Sequence, residues 1–513
     1  MPLPPRPLYL AQRAPQLLTG PITAYVLIQL AHRFEPSYQP MTFQTVAAVL
    51  LSGPILFALL LAYDDVKNYL ATWALGARLP SHILDYSPGN AWSIVKELRA
   101  VKVGYLTDGI EENAEYCGVY VFNLRILFQN RMITLEPEHL KTILATKFEK
   151  FEKDAEFCGI MGPLLGSGVF AADGELWKFH RSMTRPFFTR DRFSHFDNFE
   201  RHADDAISQL KARFREGCAV DIEGTFWPLT EFWHDKIAAP MKIVHWMIDP
   251  IVAEAVERKR RNEGKRKDDE DVTLLEELIY SPLSGEDPIL LRDVFACRWT
   301  RYASTLTFVI YMLAEYPEVL RRWREEILNK VGSSRRPTYE DICDMKYLRA
   351  IFNGIDPPTL SSGPWLYCPC RKDLWGPDGW SSDFRTIFDK SDDTLSHVAL
   401  EFDPDRFLDG QLQRYLPPNP FIFLPFNAGP RICLRQQFAY NEVSFFLVRP
   451  LQSFSSITLD LDAQPAHSHA PPEWAKEEGR KGKEKGRPMA HLIMYLEGGL
   501  WMKMEEVKTA DGE

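Results

Sequence analysis

The sequence predicts a mainly α-helical fold with small β-sheets, in which one large domain follows an N-terminal membrane anchor. Three observations carry that prediction: an uncharged 23-residue run from Met41 to Tyr63, apolar residues at helical spacing through the middle of the chain, and β-like stretches that are few, short and peripheral. With 45% apolar and 25% charged residues over 513 positions, the chain has ordinary globular usage, which excludes disordered and collagen-like classes. Its 60 Lys and Arg against 70 Asp and Glu leave a formal charge of −10, which excludes the broad basic footprint of a nucleic-acid-binding domain. Length leaves the domain count open between several units of about 150 residues and one large domain plus an anchor. The 13 Trp and 32 Phe suit either the lining of a large apolar cavity or an ordinary large core.

At about 1.5 Å per residue, Met41–Tyr63 makes about 35 Å of helix, enough to cross a hydrocarbon layer about 30 Å thick, and Asp64 and Asp65 end the run. Pro54 inside it is tolerable in a membrane helix, where neighbouring groups re-satisfy the freed carbonyl. The run starts 40 residues in and is too long for the apolar region of a cleaved signal peptide. A weaker stretch, Leu17–Ala31, contains Pro21 and Gln29 and reads as a re-entrant or interfacial segment. Arg6, Arg13 and Arg33 precede the main run and Lys67 and Arg78 follow it, a balance too even for the positive-inside rule to set an orientation. The expected division is residues 1–40 as a membrane-proximal segment, 41–63 as a transmembrane helix and 64–513 as the large domain.

Helical signals dominate that domain. Thr305–Leu313 is a nearly continuous apolar run, Pro317 sits where a first helical position tolerates it, and Val319, Leu320, Trp323 and Ile327 recur at helical spacing. Thr338-Tyr-Glu-Asp341 fits a capping box with Asp in place of Glu. Tyr120–Asn123, Ser456–Leu459 and Leu492–Leu496 read as short strands. The basic run Arg258–Lys267 meets the acidic block Asp268–Asp271 and reads as a solvated connection, and Lys476–Arg487 reads as a Gly- and Lys-rich loop.

Eight cysteines stand at 117, 158, 218, 297, 343, 368, 370 and 433, without a disulfide framework or paired zinc spacing, so free thiols in a reducing compartment are expected. Cys433 differs by its neighbours. It follows the Pro- and Gly-punctuated loop Phe421–Ile432 and precedes a helical run, Gln436–Leu451. A thiolate before a helix N-terminus gains from the dipole and from free N–H groups, which suits metal ligation or nucleophilic work, and Arg431 supplies a cation for an anionic cofactor group. These residues alone leave a buried or nucleophilic cysteine and a cofactor ligand both open.

The pattern Phe426-x-x-Gly429-x-Arg431-x-Cys433 resembles the heme-ligand loop of the cytochrome P450 monooxygenases. Trp177-Lys-Phe-His-Arg181 looks like that family's W-x-x-x-R helix, and Pro404-Asp-Arg-Phe407 like its meander motif, in the expected order. Trp177–Arg192 and the cysteine loop look most like fungal microsomal members of the alkane- and fatty-acid-hydroxylating branch. The resemblance implies the P450 fold and heme b, with Cys433 as axial ligand and metal-binding residue, Phe426 shielding its sulfur, and Gly429 letting the loop approach the heme. It also implies that Arg431, Trp177 and Arg181 hold the propionates. The implied reaction is R–H + O₂ + NADPH + H⁺ → R–OH + H₂O + NADP⁺, on an apolar substrate. Electrons would come from NADPH through a partner cytochrome P450 reductase, at the endoplasmic reticulum membrane with the catalytic domain in the cytosol, and no nucleic acid is involved.

Four departures qualify that expectation. Arg435 stands where a glycine is expected to let the next helix pack close, so its stem must find room or displace the helix. Ala296-Cys-Arg-Trp-Thr-Arg-Tyr302 replaces the A-G-x-D/E-T-T segment, removing the acid–alcohol pair that relays protons. Thr300, Ser304 and Thr305 are not promoted into its place, and no catalytic residue is assigned. After Met345–Asn353 the chain runs to Gly354-Ile-Asp-Pro-Pro358 without an E-x-x-R helix, so Arg406 is expected to lose its buried partners. Between Asp221 and Trp227 much of the substrate-capping region is skipped. The interruptions, near 222–226, 297–302, 354–370 and 376–399, read together as a damaged or mis-assembled coding sequence, and Cys368-Pro-Cys370 falls in one of them. Two function classes follow: an active monooxygenase, and a membrane-anchored heme-binding remnant that cannot activate oxygen.

Overall fold

The computed structural model describes, apart from short breaks, residues 5–35, 42–99, 112–153, 168–185, 196–222, 304–355 and 402–507. The basic run 258–267, Trp227, the segment 296–302 and Cys368-Pro-Cys370 lie outside the described residues.

Met1–Pro80 cluster in a compact unit of their own. It holds helix α1, Pro5–Phe34, and helix α2, Thr42–Ala74, which carries Pro54 inside it. Helix α2 is 33 residues long and does not stop at Asp64 and Asp65 as the charge boundary suggests. Beyond those residues Val66, Tyr69, Leu70 and Trp73 continue an exposed apolar stripe at i, i+3, i+4, i+7, so the helix has a reason to continue after the hydrophobicity ends. Helix α2 is long and apolar enough to cross a membrane, and it fits a membrane anchor.

The larger unit begins with a three-stranded sheet in which β1, Ser81–His82, pairs parallel to β2, Val121–Ile126, and β2 pairs antiparallel to β3, Gln129–Thr134. Helix α3, Pro137–Lys141, runs into a wide turn at Thr142–Thr146. Helices α4, Gly174–Thr184, and α5, Asp197–Arg215, precede strand β4, Val220–Asp221. After the undescribed segment come α6, Ser304–Glu315, and α7, Pro317–Lys330, with Pro317 at its first turn as the sequence predicts. Helix α8, Tyr339–Asp344, opens on the predicted capping box: Asp341 N–H donates to Thr338 Oγ1 at 3.2 Å, and Thr338 N–H to Asp341 Oδ2 at 2.7 Å. Helix α9, Lys346–Ile355, is capped by a neighbour, because Glu326 of α7 accepts the N–H groups of Tyr347 and Leu348, both at 3.1 Å. A carboxylate at that position satisfies two orphan donors and faces the positive end of the helix dipole.

Helix α10, Gln436–Ser453, leads straight into β5, Phe454–Leu459. Strands β6, Pro488–Ala490, and β7, Met494–Leu496, form a hairpin, while β8, Trp501–Glu506, pairs with both β4 and β5. The core lies where α5, α6, α7, α9 and α10 meet β5 and β8; Trp323, Tyr311, Phe308, Phe445 and Phe454 are its largest buried side chains. Each such burial contributes about 1.5–3 kcal/mol, which explains why the apolar positions of α6, α7 and α10 were readable as helix faces.

Lys476–Arg487 is more ordered than a loop reading suggests. It contains a short helix, Gly479–Lys483, and places Glu484 in the interior, where Tyr311 Oη donates to Glu484 Oε2 at 2.6 Å. Burial beside that carboxylate pushes the Tyr311 hydroxyl well above its ordinary pKa, so the pair is held as neutral phenol and accepting carboxylate.

Candidate functional site

Cys433 sits half-buried at the end of a folded loop, three residues before α10. The loop closes on itself: Cys433 N–H donates to the Phe426 carbonyl at 2.9 Å and Ile432 N–H to the Gly429 carbonyl at 3.1 Å. Two residues hold left-handed backbone, Asn427 and Gly429, each at φ 63°. Asn427 tolerates this because its own side-chain oxygen accepts the Ala428 N–H at 2.7 Å. Gly429 has a second reason for lacking a side chain. A Cβ there would lie 2.0 Å from the Leu144 carbonyl oxygen, so the Thr142–Thr146 turn rests directly on the loop backbone.

Phe426 stacks on Tyr440 of α10, with centroids 5.2 Å apart, and Tyr440 Oη donates to Asn353 of α9 at 2.9 Å. The loop is thereby tied to the helix after which the chain departs from the expected pattern. Helix α10 forms directly after Arg435. The backbone of Arg435 (φ −97°, ψ 12°) makes no demand for glycine, and the guanidinium lies over the Phe438 ring at 5.2 Å.

Arg431, Trp177 and Arg181 come together. The Trp177 ring is buried, 4.9 Å from the Arg431 guanidinium and 5.5 Å from that of Arg181. Arg181 donates to the Ile432 carbonyl at 2.8 Å, which pins α4 to the cysteine loop. Arg431 pairs with Asp173 and reaches the Ala172 carbonyl at 3.3 Å. Three participants escaped sequence reasoning. Phe148 packs on Trp177 at 5.2 Å and on Arg431; Asp173 is the carboxylate; and Lys153 donates to the Ala172 carbonyl at 2.9 Å and lies 3.5 Å from Asp173. The Asp-Gly-Glu-Leu-Trp spacing offered a signal for Asp173. Lys153, one of several lysines in its stretch, offered none.

Burial pushes the Arg431 and Arg181 guanidinium groups below their ordinary pKa. Burial, then the Arg431 charge, lowers the Lys153 ammonium to about 8, against the pull of Asp173. Two half-buried cations, Arg431 and Lys153, thus share the Asp173 carboxylate, and Arg181 lies across the same indole ring without a carboxylate partner among the described contacts. The surplus positive charge, beside a half-buried thiol ahead of a helix N-terminus, fits an anionic metal cofactor with two carboxylates, as heme b is.

The meander Pro404–Phe407 packs on α9 without an E-x-x-R pair. Arg406 is not left without a partner, as the missing motif suggested: its Nε donates to the Asp403 carbonyl at 3.3 Å. The neighbouring Asp405 accepts Arg322 of α7 at 2.7 and 2.9 Å. Ser304 is committed elsewhere, since its hydroxyl donates to the Met494 carbonyl at 2.6 Å.

Fold and site together define a mainly helical protein with an N-terminal apolar helix and a cysteine loop braced by a cationic cluster. A family model described as Cytochrome P450 matches residues 300–353 and 391–477, breaking off where the E-x-x-R helix is expected and resuming before the meander. The chain is 26% identical over 549 residues to cytochrome P450 monooxygenase pvhE of Talaromyces variabilis, covering 89% of this chain and 95% of the relative. It is 27% identical over 511 residues to cytochrome P450 52A12 of Debaryomyces hansenii, covering 78% and 95%. To cytochrome P450 52A9 of Candida maltosa it is 29% identical over 429 residues, covering 67% and 78%. By these comparisons the chain resembles the cytochrome P450 monooxygenases, a family whose members carry a heme-thiolate iron.

Proposed function

We propose that the chain binds heme b through Cys433 and, at the endoplasmic reticulum membrane, serves hydroxylation of an unactivated C–H bond in a fatty acid or alkane, with electrons from NADPH through a reductase. The observation that carries this reading is the surplus of cations around Trp177, next to a thiol set before a long helix. Arg431, Arg181 and Lys153 would hold the heme carboxylates, with Trp177 and Phe148 fixing the two arginines and Asp173 limiting their charge. Phe426 and the Cys433 N–H keep the loop closed at the sulfur. Heme iron held by a thiolate supplies the oxygen activation that the reaction requires. The substrate class rests only on the resemblance of Trp177–Arg192 and the cysteine loop to the alkane- and fatty-acid-hydroxylating branch.

One observation favours a second reading, a heme-binding remnant: the Ser304 hydroxyl at the start of α6 is taken up by the Met494 carbonyl. Reduction under carbon monoxide tests the common part. A Soret band at the thiolate position is expected for the full chain and is lost in Cys433→Ala; no heme uptake defeats both readings. NADPH-driven turnover of a long-chain fatty acid with added reductase separates them: product supports the monooxygenase, even at the weak rate expected without the acid–alcohol pair, and heme uptake with no product supports the remnant.

A further inference from the structure

We infer that α1 and α2 form an antiparallel hairpin inserted in the bilayer, so that the N-terminus and the large domain lie on the same side of the membrane. The crossing point is set by Gly20, which is buried against Ser52 and Gly53; a Cβ there would lie 3.0 Å from the Ser52 carbonyl oxygen and 3.1 Å from Gly53 Cα. Gly53 in turn faces the Pro21 ring. Close backbone approach between small residues is how helices associate where no water drives them together.

Chain length fixes the direction. Gly20 lies 14 residues before Phe34 and Gly53 lies 11 residues after Thr42, about 21 Å and about 17 Å along the two helices. Parallel helices crossing at these glycines would need a connection of about 38 Å. The eight steps from Phe34 to Thr42 reach at most about 29 Å. Only the antiparallel arrangement closes.

The outer faces of both helices are apolar and unpartnered. Ile22, Leu27, Leu50 and Leu59 are 57–69% exposed, and the hydroxyls of Thr23 and Ser52 turn back onto carbonyls of their own helices at 2.7 and 2.6 Å. Hydroxyls satisfied internally beside exposed leucines suit lipid better than water. Between Arg13 and Arg33, α1 carries no Lys, Arg, Asp or Glu over 19 residues, about 28 Å, close to a hydrocarbon thickness. Beyond Tyr63, the exposed Tyr69 and Trp73 are suited to the interface.

The hairpin also resolves the charge balance. A single span sets Arg6, Arg13 and Arg33 against Lys67 and Arg78 and decides nothing. A hairpin places Arg6, Arg13, Lys67 and Arg78 on one side and Arg33 on the other. Four against one puts both chain ends in the cytosol by the positive-inside rule.

The test is topology mapping of the full chain in sealed microsomes. Glycosylation acceptors are placed on an N-terminal extension, in a lengthened connection between Glu35 and Met41, and at the C-terminus. Modification of the connection alone is expected. A modified N-terminal acceptor overturns the inference in favour of a single span by α2, and an unmodified connection overturns it in favour of helices that lie on the membrane surface or pair with a second copy. Protease treatment of the same vesicles, with the connection unaltered, should remove N-terminal and C-terminal epitopes together; protection of the N-terminal epitope alone has the same overturning force. Neither readout depends on heme.

Discussion

Gly429 and Asn427 share one backbone conformation, φ 63°, two residues apart in the cysteine loop, and differ in what faces them. Alanine at either position meets the left-handed penalty, about 1–2 kcal/mol. At Asn427 that is nearly the whole cost, plus the side-chain bond to Ala428. At Gly429 the new methyl would sit 2.0 Å from the Leu144 carbonyl oxygen and 2.8 Å from its carbon, both backbone atoms. Ordinary contact is about 3.5 Å, so the loop and the turn would have to separate by more than 1 Å, and overpacking of this kind adds about 1–3 kcal/mol. Asn427→Ala should therefore lose about 1–2 kcal/mol and Gly429→Ala about 2–5 kcal/mol, while Asn427→Gly stays within about 0.5 kcal/mol of the parent. Apparent denaturant midpoints of the detergent-solubilised chain, followed by tryptophan fluorescence, measure the series. Equal losses for the two alanine variants would show that the Leu144 contact carries no weight and that backbone conformation alone selects the glycine.

His139 is buried, with Nδ1 3.0 Å from Thr134 Oγ1, and burial lowers its pKa to about 4. The unfolded chain, with an ordinary pKa near 6.5, binds the extra proton between those values, so stability falls by up to about 1.4 kcal/mol per pH unit from pH 6.5 down to about 4; His139→Gln should flatten that part of a stability–pH profile. Thr338→Ala removes one half of the capping box of α8 and should cost about 1 kcal/mol by denaturant midpoint, with Thr338→Ser close to the parent. Arg435→Ala should cost no more than about 1 kcal/mol, the value of its placement over Phe438, and leave helical circular dichroism unchanged.

Local chemistry was legible in the sequence and long-range pairing was not. Pro317, the Thr338–Asp341 box and the apolar periodicity of Val319–Ile327 each act within a turn or two, and the helices begin and bury as those residues predict. The motif residues Trp177, Arg181 and Arg431 were grouped by family resemblance alone, while their assembly around one indole depends on chain segments some 250 residues apart. Lys153 and Glu484 were missed for one physical reason: each is a charged residue in a lysine-rich stretch that reads as solvated, and each is drawn inward by a partner distant in sequence, Asp173 and Tyr311 respectively. Helix α2 runs past the predicted membrane span because charge marks where an uncharged run ends and does not by itself stop a helix.

The departures from the family pattern are unevenly placed relative to the proposed cofactor site. Every side chain in the cationic cluster comes from residues 148–181 or from the loop 426–433, and the brace behind that loop runs from Phe426 through Tyr440 to Asn353, the last residue of the first matched family stretch. Holding an anionic cofactor needs charge and a braced ligand loop, which these segments supply by themselves. Moving protons to bound oxygen needs groups at the start of α6, where the sequence lacks the acid–alcohol pair and Ser304 is engaged by Met494. The same chain can therefore keep the first capacity while losing the second, and that is why heme binding and turnover have to be measured separately, with a transcript sequence to decide whether the interruptions belong to the protein.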